Sequence, residues 1–253
     1  MIIDGRLQKI LQYLEEHQTA TLKQLSTLNQ VSLDTVRRDL ARLEAEGRLR
    51  RVRGGAILEG IDVTAQLPEQ EEPERKQEKQ AIASLLGPFI TDGQAVTLSG
   101  GTTCAEVAAF LVKNYYRLTV LTNNLRALEI LAEAPTFTVL VPGGIVDTDT
   151  DELFGQQCEE DIQKYNLDVA VLGAYAVSAE KGLTDDRFYQ KGILQAMINA
   201  ARTKILVADA TKFGRTACVN ICPLDRIDIV VSDTTLSAEE VQKLEAIGLQ
   251  VVI

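Results

Sequence analysis

The chain has 253 residues, 45% hydrophobic and 25% charged, with a mean hydropathy of zero. That is enough for two ordinary domains with real cores, and it excludes a disordered chain. The formal charge is −10, and no apolar run reaches the roughly eighteen residues that cross a bilayer, which excludes a helical membrane protein and sets a cytoplasmic expectation.

From the amino end, Leu7, Ile10, Leu11 and Leu14 fall at helical spacing, and Leu22, Leu25 and Leu28 repeat the pattern, so two short helices are predicted. The segment "NQVS" breaks it. Ser32 is then placed as an N-cap and Asp34 in a first turn, where the helix dipole favours a carboxylate, so a third helix begins here. Leu33, Val36, Leu40 and Leu43 form its apolar face, Thr35, Arg37, Arg38, Ala41 and Arg42 turn elsewhere, and Gly47 supplies the stop. In "RLRRVRGGAIL", β-branched residues and arginines surround Gly54-Gly55, a pair suited to a tight hairpin turn. Three helices and a basic hairpin predict a winged helix-turn-helix over residues 1–58.

Residues 59–74, with two prolines and a run of acids in "AQLPEQEEPE", read as a linker. An α/β domain is expected over 75–253. The apolar runs "AVTLSG", "LTVLTN", "FTVLVPG", "LDVAVLGA", "KILVADA", "DIVVSD" and "QVVI" alternate with helical segments, which predicts a mainly parallel sheet covered on both faces. Four cysteines, at 104, 158, 218 and 222, show no C-x-x-C, and His17 is single, so buried reduced thiols are expected rather than a metal or redox site, and no cofactor.

Charge is divided unevenly. Residues 1–58 hold ten Lys/Arg against seven Asp/Glu, and the remaining 195 hold 16 against 29. A duplex, as a line of phosphates, would repel the acidic part and attract the basic end. Between Ser32 and Arg53 lie seven arginines and no lysine. A guanidinium fork suits phosphates and the O6/N7 edge of guanine. The expectation is a third helix in the major groove with Ser32, Leu33, Thr35, Arg37, Arg38 and Arg42 presented to DNA, and Arg48, Arg50, Arg51 and Arg53 in the wing gripping phosphates or the minor groove. The competing reading pairs these arginines with Asp34, Asp39, Glu44 and Glu46 on a solvated surface.

The stretch "VSLDTVRRDLARLEAEGRLRRVRGGA" resembles the N-terminal signature of the DeoR family of bacterial transcriptional regulators. "ERKQEKQAIA", "GGTT", "VLTNNL", "PGG" and "VADATKFGR" follow in that family's order, so the similarity covers nearly the whole chain. The resemblance implies a sensor domain with the fold of ribose-5-phosphate isomerase and coenzyme A transferase relatives, and a phosphorylated sugar or related metabolite as effector. Residue chemistry points the same way. Gly100, Gly101, Thr102 and Thr103 lie where a strand ends and a helix starts, and Thr122, Asn123, Gly143, Gly144 and Lys212 follow other strands, the edge at which open α/β sheets bind ligands. Ser99 stands where many family members carry Asp, and it cannot supply that carboxylate. Asp185 could line the crevice, although adjacent acids such as Asp185 and Asp186 more often cap a following helix.

An isomerase fused to a DNA-binding domain is the alternative. Aldose–ketose isomerisation needs a carboxylate base, and the isomerases share an acidic D-G-A-D-E cluster at a strand end where this chain has "LGAYAV", so no base is evident. Neither G-x-G-x-x-G nor G-x-x-x-x-G-K-[ST] occurs. The sequence therefore predicts a metabolite-responsive repressor that binds a double-stranded operator as a homodimer or homotetramer.

Overall fold

The structure is a computed structural model, and it describes residues 5–17, 19–52, 55–58 and 75–253. Contacts divide the chain into two compact units, Met1–Pro73 and Glu74–Ile253. Arg53, Gly54 and the segment 59–74 lie outside the described residues.

In the first unit, α1 (Gly5–His17) is followed by β1 (Thr19–Thr21), α2 (Leu22–Asn29), α3 (Leu33–Ala45), β2 (Leu49–Val52) and β3 (Gly55–Leu58). Thr21 closes a capping box with Gln24 at the start of α2, and Ser32 caps α3 by accepting the Thr35 N–H. Most of the apolar residues foreseen on one face do pack together: Leu7, Ile10, Leu11, Leu14, Leu25, Val36, Leu40 and Leu43 form a single core with Ala20, Leu49 and Ala56, whereas Leu22 is only partly buried against it and Leu28 is exposed. Leu33, at the first helical position, is instead 43% exposed.

Two features differ from the sequence reading. The connection between α1 and α2 contains a strand, and β1, β3 and β2 form a three-stranded antiparallel sheet in that order. Gly55 is a strand residue paired with Val52 and Thr21, not a turn residue. Its lack of a side chain is required because a Cβ there would lie 2.0 Å from the Ala20 carbonyl oxygen.

The second unit carries α4 (Lys76–Ser84), β4 (Ala95–Leu98), α5 (Thr102–Asn114), β5 (Thr119–Thr122), α6 (Leu125–Leu131), β6 (Thr138–Leu140), β7 (Ile145–Asp147), β8 (Glu152–Phe154) and α7 (Gln156–Ile162). There follow β9 (Leu167–Gly173), β10 (Ala176–Ser178), β11 (Gly182–Asp185), α8 (Gln190–Ala200), β12 (Ala201–Val207), β13 (Val219–Cys222), β14 (Ile229–Val231), α9 (Ala238–Ala246) and β15 (Gln250–Val252). All seven predicted strands join one parallel sheet, ordered β15-β14-β12-β9-β4-β5-β6.

Alternate residues along each strand serve opposite cores, as a pleat requires. Val169 and Val171 pack with Ile82, Val107, Leu111 and Ala127 on one face; Ala170 and Leu172 pack with Ile162, Ile193, Met197 and Leu244 on the other. Strand order reverses direction between β4 and β9, so the β4–α5 turn stands at the switch point of the sheet. The antiparallel hairpin β7–β8 and the small sheet β10-β11-β13 were not foreseen.

Candidate functional sites

On α3 and the hairpin, six described arginines are exposed: Arg37, Arg38, Arg42, Arg48, Arg50 and Arg51. Three are matched with acids. Arg37 Nη1 lies 2.7 Å from Asp34, Arg42 Nε 3.3 Å from Glu46, and Arg51 Nε 2.6 Å from Glu44, whose other oxygen accepts the Arg51 backbone N–H. Those contacts hold the Glu44 carboxyl below its ordinary pKa, the Arg51 hydrogen bond first. Asp39 pairs with Arg6 of α1 through both oxygens, at 2.6 and 3.0 Å, and so fastens α3 to the core. Arg38, Arg48 and Arg50 have no salt-bridge partner among the described residues. The two readings of the arginines thus divide residue by residue, and exposed pairs of this kind are worth little, so a phosphate can compete for them. Ser32 and Thr35 sit together at the amino end of α3 with hydroxyls 2.9 Å apart, beside exposed Leu33.

In the second unit the sequence-predicted residues separate into two groups. Ser99, Gly100, Gly101, Thr102 and Thr103 form the turn from β4 into α5. Thr122 and Asn123 end β5 next to it, since β4 and β5 are paired neighbours. Within this group several polar atoms are already used. Ser99 Oγ accepts the Gly173 N–H at 2.8 Å, which ties β4 to β9 beyond the ladder, and it touches Cys104 Sγ at 3.6 Å. Thr122 Oγ1 donates to the Leu98 carbonyl at 2.8 Å and accepts the Asn124 N–H at 3.1 Å. Asn123 Nδ2 donates to the Leu153 carbonyl, but its Oδ1, on a residue 1% exposed, has no donor among the described residues. Gly101 has φ +92° as the N-cap of α5, no side chain caps that helix, and a Cβ at Gly101 would meet nothing within 4 Å. The turn is therefore open at Gly101, with the Thr102 and Thr103 hydroxyls in the first helical turn, a geometry suited to an anion.

The second group lies apart in its bonding. Gly143 donates its N–H to Asp161 of α7 at 2.8 Å, and Gly144 packs so closely on β8 that a Cβ there would approach the Phe154 carbonyl oxygen at 2.7 Å. Lys212 is half-buried in a short helical turn, Ala210–Lys212, after β12, two strands from β4. Asp185, at the end of β11, is buried; it accepts both the backbone N–H of Arg187, at 2.9 Å, and its guanidinium, at 3.0 and 3.1 Å.

Four functional candidates were not singled out from sequence: Asn124, Glu152, Arg187 and Gln190. Asn124 caps α6 with Oδ1 and reaches across with Nδ2 to the Gly101 carbonyl at 2.9 Å, joining two strand-end turns. The second Asn of "VLTNNL", immediately before an apolar helical run, is the signal that could have found it. Glu152, 1% exposed, presses its carboxyl against Gly100: a Cβ there would fall 2.1 Å from the carboxyl carbon. Arg187 Nη1 stands 3.5 Å from Glu152, and Gln190 Nε2 donates to its other oxygen. Burial pushes the Glu152 pKa up, with the Arg187 charge and the Gln190 hydrogen bond opposing. Burial draws the Arg187 pKa down, but the Asp185 hydrogen bond and the Glu152 charge outweigh it and raise the net value. No signal in "DTDTDELFG" marks Glu152 off from its solvated neighbours.

Comparisons with known proteins agree with this organisation. A family model described as the DeoR C terminal sensor domain matches residues 74–234, and one described as the DeoR-like helix-turn-helix domain matches residues 6–60. The HTH-type transcriptional repressor GlcR of Bacillus subtilis is 30% identical over 253 residues, covering 100% of this chain and 97% of the relative. The HTH-type transcriptional regulator GlpR of Haloferax volcanii is 31% identical over 252 residues, covering 100% and 98%. Among solved structures, ribose 5-phosphate isomerase A from Neisseria gonorrhoeae aligns with a TM-score of 0.38 at 14% identity, over 53% of this chain and 52% of that one. At that score the alignment adds nothing to the fold read from the strand order.

Proposed function

The chain belongs to the DeoR family of transcriptional regulators, and from that premise we propose that it represses a carbohydrate or related metabolic operon under the control of a phosphorylated small molecule. The observation that carries the reading is the set of exposed guanidinium groups on α3 and the hairpin, with Arg38, Arg48 and Arg50 lacking an acid among the described residues. In the proposed complex α3 enters the major groove with Ser32, Leu33, Thr35, Arg37, Arg38 and Arg42, and Arg48, Arg50, Arg51 and Arg53 hold the flanking phosphates. Each half-site is short, so a homodimer or homotetramer spans two of them.

The effector is assigned to the β4–α5 turn. Its phosphate meets the uncapped amino end of α5 and the hydroxyls of Thr102 and Thr103, with Lys212, two strands away along the same sheet edge, as the cation and Ser99, Gly100, Thr122, Asn123 and Asp185 shaping the walls. Gly143 and Gly144 belong to the outer rim of this proposal. To change operator affinity about a hundredfold, the effector need favour one arrangement of the oligomer by only about 2.7 kcal/mol.

The test is fluorescence anisotropy with the DNA upstream of the chain's own gene. Binding that weakens steeply with salt, and that responds to a phosphorylated sugar, is expected. Salt-insensitive failure to bind would remove the regulator reading. Incubation with ribose 5-phosphate separates the enzyme alternative: no isomerised product is expected, and turnover proportional to protein concentration would reinstate it.

A further inference from the structure

We propose that Glu152 sets the ligand class of the β4–α5 crevice, admitting one phosphate with an uncharged, hydroxyl-bearing remainder and rejecting a second anionic group. The inference rests on the effector reading above. It begins from how β8 is held: Leu153 donates its N–H to the Asn123 carbonyl at 2.8 Å, and the Leu125 N–H reaches the Asp151 carbonyl at 2.8 Å, so the hairpin is stitched to the end of β5. Glu152 lies between these links, bridged to Asn124, and its carboxyl packs so closely on Gly100 that a Cβ there would meet it at 2.1 Å.

Around that carboxyl the charges do not balance. Glu152 and Asp185 are both buried, at 1% and 3% exposed, and share the one guanidinium of Arg187; Gln190 adds a neutral donor. With both ionised, these two buried carboxylates outnumber the one guanidinium, which also has the exposed Asp186 at 3.9 Å, and leave net negative charge behind Gly100. Charges in a low-dielectric interior are poorly screened, so this field reaches the open side of the turn without any contact from Glu152 itself. One residue further along, the polarity reverses: Gly101, Thr102 and Thr103 begin an uncapped helix, whose amino end is positive.

The turn is thus bipolar over four residues. A ligand whose phosphate lies on α5 directs its other end toward Glu152, where a hydroxyl is tolerated and a carboxylate or second phosphate is repelled. Asn123 Oδ1, buried and lacking a donor among the described residues, lies on the residue that β8 is stitched to, one position before the Asn124 bridged to Glu152, and a ligand hydroxyl reaching it would supply the missing donor.

Glucose 6-phosphate and 6-phosphogluconate test this, since they share a phosphate and differ in a carboxylate at the far end. Dissociation constants from thermal shift, on the full chain, give their ratio. The wild type is expected to prefer glucose 6-phosphate by about tenfold or more, and Glu152→Gln to bring the ratio near one, because the common phosphate cancels. Asp185→Asn, which removes the other carboxylate, is the second variant should E152Q fold poorly, and it should narrow the ratio in the same direction. An unchanged ratio in both variants, or a wild type that binds the two alike, overturns the role of Glu152 and leaves the effector site standing. Absence of any shift with either compound, or with ribose 5-phosphate and inorganic phosphate, overturns the effector site and this inference with it.

Discussion

Arg37 and Arg38 are neighbours on one helix, and what separates them is an acid. Arg37 must leave Asp34 to reach a phosphate or base, whereas Arg38 has no salt bridge among the described residues to give up. Arg38→Ala is therefore expected to weaken operator binding by roughly 1–3 kcal/mol and to blur one base preference. Arg37→Ala should cost less, because the wild-type gain is offset by the pair it breaks; anisotropy against matched and mismatched operators reads both. At the other site, Gly100→Ala drives a methyl group into the Glu152 carboxyl and should destabilise the sensor unit by about 1–3 kcal/mol. Glu152→Ala should recover most of that in the double variant, and purely additive losses in urea melts would show that the contact is not the cause. Burial holds the thiols of Cys104 and Cys222 up at about 11 and that of Cys158 at about 12, while Cys218 is exposed. One thiol per chain should react with a disulfide reagent under native conditions and four after denaturation.

At the scale of elements, the seven parallel strands were legible because each is an apolar run, buried in the central strands and partly exposed in the edge strands β6 and β15, and α3 because cap, acid and stop stand in order. The hairpin β7–β8 was not, since three-residue strands in "GGIVDTDTDELFG" carry no alternation to read. Its position is set by Asn123, Leu125 and Gly100, distant in sequence, and that is also why the burial of Glu152 could not be inferred. The turn before β7 depends on Asp161, whose carboxyl is held down to about 2 by hydrogen bonds from Lys164, Gly143 and Gln157, in that order. A carboxyl with a depressed pKa stabilises the fold above its ordinary value near 3.8 and loses that contribution as pH falls toward 2. The stability gap between wild type and Asp161→Asn should therefore be present at pH 6 and shrink between about pH 4 and 2. A gap independent of pH would assign the loss to something other than charge.

For the whole molecule, the separate cores of the two units predict that heating does not produce a single cooperative step. A bound phosphorylated sugar should raise only the transition of residues 74–253, and calorimetry that moved both transitions equally would argue against an effector confined there. Among the described residues no helix is long and apolar enough to cross a membrane.

The strand between the first two helices has a consequence for what DNA the protein can accept. Because β1 is zipped to β3, and β3 to β2, the wing hangs from the same frame that carries α3, with Gly55 letting the backbones close up. Such a reader works like a caliper with fixed jaws. With α3 in the groove and the wing on the flank, as proposed, insertion of one base pair between the two segments is expected to leave one jaw empty, so half-sites are expected to keep a constant internal spacing even where their sequence drifts.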